Sequence, residues 1–237
     1  MTEQAPIESD LQAIRSNLAM VHETIQSAAS NASRDQSAVT LIAVSKAQPD
    51  AKILAALAAG QRVFGENYVQ EAQARWPDLR NRYNDLEVHM IGPLQTNKAA
   101  PALRLFDVIQ TVDRPKLARE LQKEMTKQNR ALPIFIQVNT GEEPQKSGII
   151  PAEAEAFLRF CQNELSLQVR GLMAIPPVDQ DTAMHAALLK RMADDFGLPD
   201  VSIGMSGDYP TAIEFGATMV RVGTGIFGAR KPKNNAA

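Results

Sequence analysis

Lys46 ends an apolar run in the stretch "TLIAVSKAQPD", residues 40 to 50. Side chains alternate across a strand, so Thr40, Ile42, Val44 and Lys46 share one face. Low-dielectric surroundings at a strand end disfavour the ammonium and lower a lysine pKa. A neutral amine there could attack a carbonyl and form a Schiff base. A lysine that only snorkels from a strand end into solvent would read the same in this stretch alone.

A second cluster lies towards the other end of the chain. "TMVRVGTGIFGAR" puts Met219, Arg221 and Gly223 on one strand face. An arginine inside a strand buries poorly without a partner. Gly223, Thr224 and Gly225 follow at once. Glycines let backbone N–H groups approach an anion, and Thr224 adds a hydroxyl donor. "GMSGD" supplies Ser206 and Gly207 as the other half of such a cradle. Either glycine-rich end could be a tight turn and nothing more. Together with Lys46 they offer an amine, a cation and an anion cradle. A phosphorylated aldehyde satisfies all three, with pyridoxal 5'-phosphate as the obvious candidate.

These residues need a scaffold that gathers strand ends. Eight strand-like runs recur: "VTLIAVS", "RVFGEN", "LEVHMIG", "FDVIQTVD", "LPIFIQVN", "LQVRGLMAI", "VSIGMS" and "TMVRVGTGIFG". Helical patterns separate most of them. Pro49 and Gly60 bracket one, Asp113 is placed to cap another, and Pro151 opens the one that carries Cys161. Strands alternating with helices imply a parallel sheet. Eight such units in 237 residues fit a (β/α)8 TIM barrel, an α/β fold. An open doubly wound sheet is the alternative, but no GxGxxG follows the first strand. A lead-in helix is expected at about residues 9–29, with Ser9 and Gln12 at capping-box spacing and an apolar stripe through Leu11, Ile14, Leu18, Val21 and Ile25. The barrel is expected over about 39–230, so that residues 1–237 form one domain.

Composition narrows the function classes. Hydrophobic residues make up 44% and charged residues 22%, the balance of a soluble globular chain. The formal net charge of −2 gives no push towards nucleic acid or anionic membranes. Cys161 is the one cysteine, which suits a reducing compartment, and its helix face reads as core. The first residues show no secretory pattern and no apolar stretch could span a bilayer, so the chain is read as cytoplasmic.

Other polar residues carry weaker signals. Lys146 lies in the polar loop "GEEPQKSGI", read either as mobile and solvated or as a lid or cofactor-transfer residue. Lys98 begins a helix, as a surface residue or as a contact for a ligand phosphate. His89 sits in a strand with no second histidine nearby, so metal binding is not expected. His22 and His185 read as surface or boundary residues. Asp208 and Glu214 flank the cradle and read as capping or surface carboxylates. Trp76 and Pro77 read as a helix end.

The motifs together resemble a known family. "LIAVSKAQP", "FGENYVQEA", "HMIGPLQTNK", "EEPQKSGI", "GLMAIPP" and "GMSGDYPTAIEFGATMVRVGTGIFGAR" resemble the pyridoxal phosphate homeostasis proteins, from about residue 10 to residue 230. Those are barrels similar to the N-terminal domain of alanine racemase. The resemblance implies that Lys46 carries the cofactor as an internal aldimine. It implies that Ser206, Gly223 and Thr224 hold the phosphate and that Arg221 faces the pyridine nitrogen. Asn67 matches a residue beside the cofactor, and Met205 and His89 match strand-end positions near it. A guanidinium stays protonated, so it donates to the ring nitrogen and leaves a weaker electron sink. The sequence departs from the family pattern at Ile203 and is shorter between Val178 and Pro199.

The resemblance implies a carrier with little or no turnover, acting in intracellular pyridoxal phosphate homeostasis and delivery. Its partners would be the cofactor and pyridoxal-phosphate-dependent apoenzymes, with no nucleic acid and no membrane, as a monomer or weak dimer. A cofactor-dependent amino-acid racemase is the alternative. It would need a second base, which alanine racemase takes from an added β domain that a chain ending at residue 237 lacks, leaving Tyr68, Tyr83 and Tyr209 to substitute. A phosphate-sugar enzyme of the same fold is a third reading, with no covalent adduct at Lys46.

Overall fold

A computed structural model describes residues 8–229 of the chain. Eight parallel strands close into a barrel in sequence order: β1 (Thr40–Val44), β2 (Val63–Glu66), β3 (Glu87–Met90), β4 (Val108–Val112), β5 (Ile134–Val138), β6 (Val169–Ala174), β7 (Asp200–Met205) and β8 (Met219–Val222). Each expected apolar run contributes one strand. The seam is the β1–β8 pair, with Thr40 opposite Met219 and Ile42 opposite Arg221.

Helices cross between the strands and cover the outside. They are α2 (Asp50–Ala58), α3 (Val69–Arg82), α4 (Ala99–Leu105), α5 (Pro115–Gln128), α6 (Pro151–Arg159), α7 (Thr182–Asp195), α8 (Tyr209–Glu214) and α9 (Thr224–Phe227). The lead-in helix α1 (Glu8–Asn31) buries Ile14, Leu18, Val21 and Ile25, as the stripe requires, and packs on α2, α8 and α9. Among the described residues no helix is long and apolar enough to cross a membrane.

Two layers of core follow from strand alternation. Outward residues such as Leu41, Ala43, Phe64 and Val88 meet the helices. Inward residues Ile42, Val108, Phe135, Met173 and Met219 plug the barrel, with Val63 against them. Ile203, the departure from the family pattern, belongs to the outward layer and is fully buried. It therefore leaves the barrel mouth untouched.

Several local expectations need correction. Ser9 lies inside α1, so it does not cap it. Asp113 does not cap α5, because Pro115 takes the first helical position. A proline drives the preceding residue to extended backbone, and Arg114 accordingly caps at φ −164° and ψ 150°. Pro77 lies within α3, which runs on to Arg82. Trp76 beside it is fully buried, with its ring 4.9 Å from that of Phe64. His185 is buried, with Nε2 bonded to Gln180 Oε1 at 2.9 Å.

The loop after β1 rests on a buried ion pair. Glu66, at the end of β2, is fully buried and its Oε1 accepts from Ser45 Oγ at 2.8 Å, Arg75 Nη1 at 2.9 Å and Trp76 Nε1 at 3.2 Å. Burial raises its pKa, against the pull of Arg75 and of the Ser45 and Trp76 donors. Arg75 also donates to Gln48 O and Asp50 Oδ1, so it ties three segments together. Arg75→Ala would strand the buried carboxylate, and urea unfolding is expected to show a loss of about 3–5 kcal/mol.

Cys161 lies in a π-helical turn, Phe160–Glu164, that continues α6. It is buried, and desolvation pushes its thiol up to about 12. The thiolate is the reactive form. Folded protein at pH 8 is therefore expected to resist a thiol reagent that labels it at once in denaturant.

Candidate functional site

The C-terminal ends of the strands share one rim, and a cavity of about 300 Å³ opens there. Val44, Lys46, Asn67, Ile91, Ile175, Met205, Ser206, Gly207, Arg221, Gly223 and Thr224 line it. The structure thus brings seven of the eight anticipated residues, all but His89, to one wall. Gly207, named in the sequence as part of the cradle, joins them.

Lys46 is not the last residue of a strand. β1 stops at Val44, and Lys46 opens a turn closed by Gln48 N donating to Ser45 O at 3.1 Å. Ala47 takes the left-handed backbone, φ 55°, and its N–H donates to Glu71 Oε2 at 3.1 Å. The turn is fixed from below by Glu66 and Arg75. The inward alternation of Ile42 and Val44 still carries through to Lys46, which lines the cavity.

Asn67 is held by contact with a glycine. A Cβ on Gly92 would sit 2.4 Å from Asn67 O. Only glycine lets the loop after β3 close on the residue that follows β2.

The cradle is built around one hydroxyl. Ser206 Oγ accepts from Gly223 N at 3.2 Å and from Gly225 N at 3.3 Å. A serine hydroxyl has two acceptor sites and one hydrogen. Both acceptor sites are used, so the hydrogen remains to donate to an anion. Asp208 supports the turn: Oδ1 accepts from Met205 N at 2.6 Å and Oδ2 from Thr182 Oγ1 at 2.7 Å.

Arg221 lies just inside the rim, 4% exposed. Its Nη1 donates to Ser202 Oγ at 2.7 Å and Nη2 to Ala174 O at 2.8 Å. Burial pulls its pKa down to about 10, opposed by Asp208, so it remains a cation at neutral pH. A guanidinium has five N–H donors, which leaves some for the cavity.

Apolar side chains complete the wall. Ile91 and Ile175 were not singled out from sequence. Each lies one residue beyond its strand and two beyond an inward residue, His89 or Met173. Carrying the two-residue period past the strand end would have found both. The shortened segment after Val178 leaves this wall in place, because Ile175 precedes it.

His89 does not line the cavity. It is fully buried in the barrel interior, with Nδ1 on Gln110 and Nε2 on Glu87. Lys146 is not loose: its Nζ pairs with Glu143 Oε2 at 2.5 Å and approaches Pro176 O at 3.5 Å. Lys98 caps α4. Glu214 accepts from Asn31 Nδ2 at 3.1 Å. No group of His, Cys, Asp and Glu among the described residues could hold a metal ion.

Comparison with known proteins agrees with this geometry. Residues 9–231 match the family described as alanine racemase, N-terminal domain. A pyridoxal phosphate homeostasis protein of Pasteurella multocida is 42% identical over 227 residues, which are 92% of this chain and 97% of that protein. The Escherichia coli protein of that name is 39% identical over 226 residues, 92% of this chain and 97% of its own. PipY of Synechococcus elongatus, solved with pyridoxal phosphate bound, superposes with a TM-score of 0.77 at 36% identity, covering 91% of this chain and 100% of that one. Alanine racemase from Bartonella henselae shares the fold, with a TM-score of 0.69 at 17% identity over 93% of this chain and 61% of that one. With the rim, the cradle and these relatives in agreement, the chain belongs to the pyridoxal phosphate homeostasis protein family, on a barrel of the alanine racemase N-terminal type.

Proposed function

We propose that the protein binds pyridoxal 5'-phosphate at the barrel mouth and serves intracellular homeostasis and delivery of that cofactor with little or no turnover. One observation carries the reading: Lys46, Arg221 and the cradle residues Ser206, Gly223 and Thr224 line one cavity of about 300 Å³. That volume lies at the lower end for small-ligand sites, about 300–1,000 Å³.

The residues present fit the group. The cradle would take the phosphate, with the Ser206 hydrogen and the Thr224 hydroxyl as donors. Arg221 would offer a fixed donor to the ring nitrogen. Ile91, Ile175, Val44 and Met205 supply apolar faces for the ring, and Asn67 sits beside it. The Lys46 amine would be the group that holds the cofactor's aldehyde carbon covalently. When bound, pyridoxal phosphate can act as an electron sink for amino-acid chemistry. Arg221 would limit that role, because a guanidinium can donate to the ring nitrogen but does not give up its proton to it.

The wall also favours carriage over racemisation. Beside Lys46, no carboxylate, imidazole or phenol is among the described residues that line the cavity. Tyr209, the first residue of α8, is buried, Tyr68 is exposed, and neither lines that wall. Gly207 and Thr224 face solvent, so a phosphate held there stays close to water. That arrangement supports release to apoenzymes. The barrel and its lead-in helix would act as one binding unit in the cytoplasm, as a monomer or weak dimer.

The test is an absorbance titration with pyridoxal phosphate, then borohydride reduction and peptide mapping. The wild type is expected to give a visible band and one pyridoxyl group, on Lys46. Lys46→Ala should lose both, and an unmodified wild type would overturn the reading. Ser206→Ala is expected to weaken binding about tenfold, the loss of one charge-assisted hydrogen bond. Saturating cofactor should raise the melting temperature, since it binds only folded chain. Racemase assays with alanine and other amino acids should show no turnover above that of free cofactor.

A further inference from the structure

The barrel interior holds a row of polar side chains among its apolar plug. Arg221 Nη1 reaches Ser202 Oγ at 2.7 Å, and Ser202 Oγ reaches Gln110 Oε1 at 2.7 Å. Gln110 Nε2 lies 2.7 Å from His89 Nδ1, and His89 Nε2 lies 2.7 Å from Glu87 Oε1. Ser202, Gln110 and His89 are each fully buried. The row runs from the cavity wall to the opposite end of the barrel, where the Glu87 side chain is 40% exposed.

Donor and acceptor inventory fixes its direction. Arginine has no acceptor, so Arg221 donates to Ser202. The Ser202 hydrogen then needs an acceptor, and the Gln110 carbonyl oxygen is there. That orientation leaves the Gln110 amide to donate, so His89 Nδ1 accepts. His89 therefore carries its proton on Nε2 and donates it to Glu87. Turning the Gln110 amide over would set two donors against Ser202 Oγ and leave the serine hydrogen without a partner in a buried site. Every bond thus points the same way, from cation to carboxylate, and bonds in such a row polarise one another. The Glu87 carboxyl sits below its ordinary range, chiefly through the His89 bond, in keeping with an ionised acceptor.

We propose that Ser202, Gln110, His89 and Glu87 are positioning residues that orient Arg221 for the cofactor, so that a charge at the opposite end of the barrel sets binding at its mouth. The proposal rests on the cofactor reading above. His89 then acts on the site through two intermediaries and without touching the ligand.

Glu87→Gln tests it with little risk to folding, because the residue is partly exposed and the amide oxygen can still accept. Ser202→Ala cuts the row next to Arg221. Cofactor affinity and the position of the visible band are read for both, beside the melting temperature without cofactor. Ser202→Ala is expected to weaken binding by about fivefold or more and to move the band. Glu87→Gln should move both quantities the same way by less. A purely structural role would change only the melting temperature. Band and affinity unchanged in Glu87→Gln, and in Ser202→Ala if it folds, would overturn the proposal and leave the cofactor reading intact. If Ser202→Ala does not fold, Glu87→Gln decides alone. A wild type without a band would overturn both.

Discussion

A guanidinium buried inside a closed barrel must be given partners, and much of the interior follows from that demand. Arg221 is inward-facing on β8 because strand alternation puts it there. No water layer surrounds it, so its donors must end on protein oxygens or on a ligand. Ala174 O and Ser202 Oγ meet part of the need. Ser202 brings in Gln110, Gln110 brings in His89, and His89 ends on Glu87. Four strands therefore carry polar residues where an inert barrel would carry aliphatic ones. The apolar plug of Ile42, Phe135, Met173 and Met219 fills what remains.

A similar economy governs the amine. Lys46 lies in a turn and not on a ladder, and turns are the pliant parts of a barrel. Here the turn is clamped from outside by Arg75 and the buried Glu66, and by Glu71 through Ala47 N–H. The clamp faces the helix layer while Lys46 faces the mouth. The rigid and the reactive sides of one short segment are thus kept apart.

Much of this was legible in the sequence because it depends on local pattern. Period-two alternation gave the strands and placed Arg221 and Gly223 on the inner face. Glycines in "GTG" and a serine in "GMSGD" announced a cradle. What stayed hidden depends on how neighbouring segments are set against one another. Nothing near His89 tells that its ring meets Gln110, because the barrel register sets that distance. A place near the cavity was expected for it, and the interior was found. Nor does the polar loop around Lys146 reveal Glu143 and Pro176 as its anchors. Helix caps misled for a simpler reason: Pro115 overrode the nearby Asp113.

The site also straddles the barrel's seam. Lys46 follows the first strand, while Arg221 and the cradle come from the last, and β1 and β8 are neighbours only once the sheet has closed. α1 braces the same seam through Asn17, which donates to Ile226 O in α9. During synthesis the amine emerges long before the arginine that must face it. Closing a loop of that length is slow relative to forming local helices and turns. A growing chain therefore has no cofactor pocket until its eighth strand has docked beside its first, and ligand capture becomes a report that the barrel is whole.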